Sequence, residues 1–249
     1  MLVEFCLPIL NEEQILEKSV LKLFKYCTEK KFDFDWRIII LINASTDNSL
    51  KISQKLHSQH GDKISFSEIS QMGRGNALKI YWSQSKADIV SYMDIDLAVS
   101  LDNILDLINP IIKDGYDLVI GSRMLPDSKI ERSFIRELSS QGYTFCSRII
   151  LGHNFSDMQC GFKAIRTEKF KIIAHNIKNY KWFFDTELII FSKLNKFKIK
   201  EIPVDWSENR YEQRKSKVNI ARDSFKFICN LIKLRLRILF PVRGGSVKS

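Results

Sequence analysis

Ala87-Asp88-Ile89-Val90-Ser91-Tyr92-Met93-Asp94-Ile95-Asp96 is an apolar run that ends in two carboxylates one residue apart. The run reads as a buried strand over Ile89–Met93. Two negative charges at the rim of a core have two readings. They hold a cation, or they cap the next helix and face solvent. The neighbouring segments decide between them.

Strand-like and helix-like segments alternate around this run. Val3–Leu7 reads as a strand and Glu12–Glu29 as an amphipathic helix. Arg37-Ile-Ile-Ile-Leu-Ile-Asn43 is a strong buried strand, followed by a helix over Asp47–Gln59 and a strand over Ile64–Ile69. A helix over Gly75–Ser85 leads into the opening run. After it come a helix over Leu101–Lys113 and a strand over Asp117–Gly121. This β-α-β-α order predicts an α/β domain with a mostly parallel central sheet flanked by helices on both faces. Further on, Ser133–Leu151 reads as a helix, Gly161–Ile165 as a strand, Phe184–Asn195 as a helix and Lys198–Trp206 as one strand. No repeat, low-complexity segment or Gly/Ser/Pro linker interrupts the chain. The expected organisation is one domain over residues 1–217 and a tail over 218–249.

Ligands of such sheets sit beyond the carboxyl ends of the strands. The expected strand ends carry Leu7-Pro8-Ile9-Leu10-Asn11-Glu12, Asn43-Ala44-Ser45-Thr46-Asp47, Gly73-Arg74-Gly75, Asp94-Ile95-Asp96 and Gly121-Ser122-Arg123. Each cluster also has a structural reading: Asn11, Ser45 and Asp47 suit helix caps, and Gly73 and Gly75 suit turns. All five on one rim favour a pocket. Two carboxylates at a strand end suit Mg²⁺ or Mn²⁺, hard cations that bring phosphate oxygens with them. Arg74 between two glycines offers a fork of donors and close backbone approach, and Arg123 adds charge. The combination implies a nucleoside diphosphate ligand.

The 249 residues are 45% hydrophobic, enough for one large core or two small ones. The N-terminus carries no basic, signal-like segment, and no uncharged apolar run reaches the ~18 residues of a transmembrane helix. The five cysteines are scattered without ligand spacing, which supports neither a zinc site nor a disulfide framework and suits a reducing compartment. Residues 193–249 hold 15 Lys+Arg against five Asp+Glu, an excess equal to the net charge of +10 of the whole chain. A basic tail on a neutral body points to a local anionic partner.

Taken in order, Pro8-x-x-Asn11-Glu12-Glu13, the Ser45-Thr46-Asp47 turn, Gly73-Arg74-Gly75, Asp94-Ile95-Asp96 and Gly121-Ser122-Arg123 resemble a family 2 glycosyltransferase of the GT-A fold. Glu131-Arg132-Ser133-x-x-Arg136, Asp157-Met158-Gln159-Cys160-Gly161-Phe162-Lys163, Trp182-Phe183-Phe184-Asp185-Thr186-Glu187, Pro203-Val204-Asp205-Trp206 and Ser216-Lys217 narrow it. They resemble polyprenyl-phosphate transferases, above all dolichyl-phosphate β-glucosyltransferases. The resemblance implies that Pro8, Asn11, Glu12 and Asn43 lie near the nucleotide. It puts Arg74 on the diphosphate, Asp94 facing the nucleotide, and Asp96 with Asp94 at the metal. Arg123, Arg132, Arg136 and Lys217 would meet donor or acceptor phosphates. Asp157, Gln159, Asp185 and Glu187 would shape the sugar pocket. Where the family usually has two acidic residues at the second strand, this chain has Asn43-Ala44, which bears on base contacts.

The implied reaction is an inverting, single displacement in which a lipid phosphate attacks the anomeric carbon of a nucleotide-activated hexose, with UDP-glucose the favoured donor. The attacking phosphate is already charged near neutral pH, with a second pKa near ~6, so a strong general base is dispensable. Asp96, Arg123, Asp157, Gln159, Asp185 and Glu187 are the expected catalytic set, and Mg²⁺ or Mn²⁺ the expected cofactor. In the tail, Arg222, Lys226, Lys233 and Arg237 share one helical face, with Phe225, Ile228, Ile232 and Leu239 largely opposite. A basic amphipathic helix lying on an anionic membrane surface is expected, on the cytoplasmic face, with a separate integral membrane partner as an option; the alternative is a helix packed on the domain's own core or against another subunit. The alternatives are GDP-mannose as donor, a polysaccharide acceptor, and a catalytically inactive nucleotide-sugar-binding protein. Nucleic acid is not an expected partner, since no aromatic stacking platform accompanies the basic tail.

Overall fold

The long apolar run of the second strand is the member around which the sheet is built. In this computed structural model, which describes residues 1–131, 134–207 and 220–240 without the side chains of 134–139 and 220–225, that strand spans Asp35–Asn43 and buries its last six residues. Burial at successive rather than alternate positions marks a strand covered on both faces. In chain order the first elements are β1 (Leu2–Ile9), α1 (Leu16–Lys30), β2 (Asp35–Asn43), α2 (Ser49–His60), β3 (Ile64–Ile69), α3 (Arg74–Gln84) and β4 (Ile89–Met93). They continue as α4 (Ile104–Lys113), β5 (Leu118–Ser122), β6 (Lys129–Glu131), α5 (Phe134–Leu151), β7 (Phe162–Arg166) and α6 (Thr167–Ile173). The last are α7 (Phe184–Leu194), β8 (Ile199–Pro203), β9 (Asp205–Ser207) and α8 (Ile220–Leu239).

Seven strands lie in the order β3-β2-β1-β4-β7-β5-β8. All neighbours pair in parallel except β7, which runs antiparallel between β4 and β5. The mostly parallel α/β sheet expected from the alternation is therefore what the chain forms. Helix α1 buries Leu16, Val20, Leu23 and Cys27, spaced one turn apart, into the same core as Ile104, Leu107, Ile108 and Ile111 of α4. The reversal of β7 matters for the rim. Met93 pairs with Phe162, so the carboxyl end of β4 meets the beginning of β7. The Asp157–Gly161 segment thus arrives where parallel strands alone would not bring it.

Four elements differ from the sequence expectations. α1 begins at Leu16, not Glu12; the amides of Glu12 and Glu13 bond Ser49 Oγ (3.2 Å) and Asp47 Oδ2 (3.0 Å) across the next loop. The single strand expected over Lys198–Trp206 is two. Pro203 lacks an N–H and ends the ladder on β5, and β9 leaves to pair with β6 in a separate two-stranded sheet. β6 and α6 were not foreseen: three residues carry too little periodicity for the first, and Thr167–Ile173 spans barely two turns.

The chain forms two compact units, Met1–Arg132 with Ser156–Lys215, and Ser133–Phe155 with Ser216–Ser249. The first holds the sheet. In the second, α5 packs against α8, with the Tyr143 and Phe227 rings 5.1 Å apart. α8 buries Leu231 and Leu234 and exposes Ile228, Ile232, Leu236 and Leu239. Of the expected tail residues, the side chains of Arg222 and Phe225 lie outside the described residues.

Candidate active site

Parallel strands deliver their carboxyl ends to one edge, and the loops there are bound to each other before any ligand is considered. Asn11 follows β1 with a left-handed φ of 53°. Its Oδ1 accepts the Thr46 N–H (2.7 Å), and its own N–H donates to Ser45 Oγ (3.0 Å). Glu13 Oε2 accepts the Asn48 N–H at 2.9 Å in return. Pro8 lies beside Leu41 in the β1–β2 ladder. Glu12 is buried, and Asn43 Oδ1 accepts the Gly73 N–H at 2.9 Å. Asn43 thus braces the glycine loop that precedes α3. Gly73 has φ 141°, and a Cβ there would overlap the Tyr180 carbonyl, so only glycine fits.

Arg74, the first residue of α3, is the centre of the rim. Its Nη1 donates to Asp94 Oδ1 at 2.8 Å and its Nη2 to Asp185 Oδ2. Its guanidinium lies 4.2 Å from the Trp182 ring centre and 5.2 Å from that of Tyr92. Asp185 has no exposed side-chain surface. It also takes the Tyr92 hydroxyl and the Nζ of Lys163 (2.9 Å), a lysine equally buried. Burial pulls the Arg74 guanidinium down, but Tyr92, Asp185 and Asp94 around it hold it above its ordinary value. Burial and the Asp185 charge push the Tyr92 hydroxyl well up, so it stays a donor at neutral pH.

A second ion pair lies alongside. Arg123 follows β5 and grips Asp157 through Nε (2.7 Å) and Nη2 (3.1 Å), while its backbone N–H donates to the same carboxylate at 3.2 Å. Burial opposes ionisation of Asp157, yet Arg123 and the Gln159 N–H outweigh it and hold the carboxyl at about 2. The Asp94 charge helps raise both Arg74 and Arg123, though only Arg74 bonds it directly. Cys160 beneath them is fully buried, and burial pushes its thiol up to about 12, which leaves it protonated. Gln159 donates from Nε2 to Thr186 Oγ1 at 2.8 Å. Glu187 is buried and accepts the N–H groups of Lys178 and Asn179, both at 2.7 Å, which ties down the loop before α7.

Asp96 is half-buried, and its Oδ1 accepts the Ala98 N–H at 3.2 Å. No group of three or more His, Cys, Asp or Glu side chains suited to a metal occurs among the described residues. Two hard carboxylates, Asp94 and Asp96, fit a divalent cation that draws its remaining ligands from phosphate and water. Arg132 and Lys217 lie outside the described residues, as does the side chain of Arg136. The structure therefore gathers Arg74, Asp94, Arg123, Asp157 and Asp185 in one charged cluster, and Asn43 one loop away. Tyr92, Lys163 and Trp182 join that cluster without having been assigned a role from sequence. Lys163 carried a usable signal: a lysine inside Phe162-Lys163-Ala164-Ile165, an otherwise apolar strand, must find a buried carboxylate.

The family model for glycosyl transferase family 2 matches residues 4–173 of this chain. The chain belongs to that family. It is 28% identical over 222 residues to glycosyltransferase AglD of Haloferax volcanii, covering 89% of this chain and 35% of the relative. It is 28% identical over 215 residues to the dolichyl-phosphate beta-glucosyltransferase ALG5D of Trichomonas vaginalis, covering 83% of this chain and 66% of the relative. The chain thus spans about a third to two thirds of these proteins. Among solved structures it is similar to glucosyl-3-phosphoglycerate synthase of Mycobacterium tuberculosis in complex with Mn²⁺, UDP and glucosyl-3-phosphoglycerate. The TM-score is 0.65 at 18% identity, over 97% of this chain and 81% of that one. At that identity the likeness shows the fold, the GT-A architecture expected from the motifs.

Proposed function

We propose that this family 2 chain transfers a hexose, with inversion, from a nucleoside diphosphate sugar to a polyprenyl phosphate. One observation carries the reading: Asp94 and Asp96 stand at the end of β4 with Arg74 and Arg123 on the same rim. Carboxylates for a hard cation beside arginines for phosphate are what a diphosphate leaving group requires. The similarity to a dolichyl-phosphate glucosyltransferase over most of the chain supports the lipid phosphate acceptor and, with the UDP-bound structural relative, favours UDP-glucose.

In this reading Asp96 and Asp94 hold Mg²⁺ or Mn²⁺, which when bound neutralises charge on the departing diphosphate. Arg74 shares that load. Arg123, held by Asp157, presents fixed positive charge toward the phosphates, with Arg132, Arg136 and Lys217 as further acceptor-phosphate contacts. Gln159, Asp185 and Glu187 set the shape of the sugar pocket, two of them by fixing neighbours rather than by exposure. Pro8, Asn11, Glu12 and Asn43 hold the loops against which the base lies. Residues 1–217 form the transferase domain and 218–249 a tail. Exposed Ile228, Ile232, Leu236 and Leu239 beside Lys226, Lys233 and Arg235 suit the tail to an anionic membrane surface, on the cytoplasmic side. No described helix is long and apolar enough to cross a membrane.

A thermal-shift panel of nucleotide sugars with Mn²⁺ tests the donor. UDP-glucose is expected to raise the unfolding temperature more with the metal than without it. Stabilisation by GDP-mannose and not by UDP-glucose overturns the donor assignment.

A further inference from the structure

We infer that Arg74 is a latch on the donor-phosphate site, anchored by the buried Asp185–Lys163 pair and holding Asp94 until a nucleoside diphosphate takes that hold over. The inference rests on the proposal that such a nucleotide binds at this rim.

The two ends of the Arg74 grip are not equivalent. Asp185 has 0% side-chain exposure and is closed in by Arg74, Tyr92 and Lys163. No ligand reaches that bond without opening the core. Asp94 has 35% side-chain exposure, against 10% for Arg74. The outer bond is therefore the one that an anion from solvent can replace. Charge balance points the same way. Arg74 and Lys163 carry two positive charges against Asp185 and Asp94, so the ligand-free cluster is neutral. A diphosphate arriving without a partner would meet no net positive charge here. If Arg74 Nη1 passes to a phosphate oxygen, the diphosphate gains a cation and Asp94 regains its charge for the metal beside Asp96.

The guanidinium also shows unused capacity. Its fork is split between two acids, and its Nε is buried with no hydrogen-bond partner. Trp182, stacked 4.2 Å from the guanidinium and 44% exposed, lies over the moving part. In this arrangement Asp185 is a positioning residue. It never meets the donor, but it fixes the stem about which Arg74 turns.

A double-mutant cycle tests the latch. UDP and GDP affinities are measured by calorimetry without metal and with Mn²⁺, for the wild type, Asp94→Asn, Arg74→Met and the double variant. Asp94→Asn removes the charge that strengthens the hold on Nη1, so metal-free affinity for the nucleotide that binds is expected to rise about three- to ten-fold in the wild-type background. In the Arg74→Met background the same change is expected to do nothing. An equal rise in both backgrounds means that Asp94 only repels the anion, and it overturns the latch while leaving the nucleotide site standing. No rise in either background overturns it as well. The unmodified protein supplies an independent reading: nucleotide titration is expected to change a tryptophan emission signal that Trp182→Phe removes. A wild-type protein that binds neither nucleotide under any condition overturns the binding site and the latch together.

Discussion

At the scale of the residue, the rim is a set of charges that hold one another. Asp185→Asn leaves Lys163 a buried charge without compensation, which is expected to cost about 3–5 kcal/mol in urea unfolding. Adding Lys163→Met to that variant removes the orphan and is expected to restore most of the loss, since a well-packed apolar replacement of a buried pair is near neutral. A double variant as unstable as the single one would show that the pair is not what Asp185 balances. Asp157 makes a prediction in pH. Its carboxyl lies at about 2 in the folded protein, below the ~3.9 of an unfolded chain. A depressed folded value means stability that is present above pH ~4 and lost as pH falls towards ~2, about 3 kcal/mol in all. Asp157→Asn is expected to flatten the stability profile in that window. An unaltered acid limb in denaturant titrations from pH 5 to 2 contradicts it.

At the scale of the element, one antiparallel strand converts a sheet into a site. β7 lays Gly161 against Asp94, and a Cβ on Gly161 would overlap the Asp94 carboxylate. Gly161→Ala is therefore expected to displace Asp94 and weaken Mn²⁺-dependent nucleotide binding by at least ten-fold, about 1.4 kcal/mol. The loss should appear in calorimetry with little change in far-ultraviolet circular dichroism; undiminished binding would remove Gly161 from the site. Strand ends were legible in the sequence because an apolar run stops where the core stops. That is why Asn43, Arg74, Asp94 and Arg123 could be placed at one edge. The partners were not legible. Arg74 and Asp185 are 111 residues apart, and nothing local to either names the other. The bonds of the Glu12 and Glu13 amides to Ser49 and Asp47, across the next loop, were no more legible.

At the scale of the whole molecule, a charged rim on the sheet unit and an apolar, basic-edged helix in the second unit fit a reaction with one soluble and one lipid substrate. Ile232 and Leu236 on α8 are each about half exposed, so Ile232→Glu with Leu236→Glu is expected to change the unfolding temperature little. The same change is expected to reduce sedimentation with phosphatidylserine-containing vesicles several-fold. Full vesicle binding by that variant would take the membrane contact away from α8. The most direct measurement is transfer of labelled hexose from UDP-glucose to a polyprenyl phosphate with Mn²⁺, beside the same polyprenol without its phosphate and beside Asp96→Asn. The expected result is labelled lipid from the phosphate alone, and none from Asp96→Asn. Label on the unphosphorylated polyprenol, or full transfer by Asp96→Asn, would contradict it.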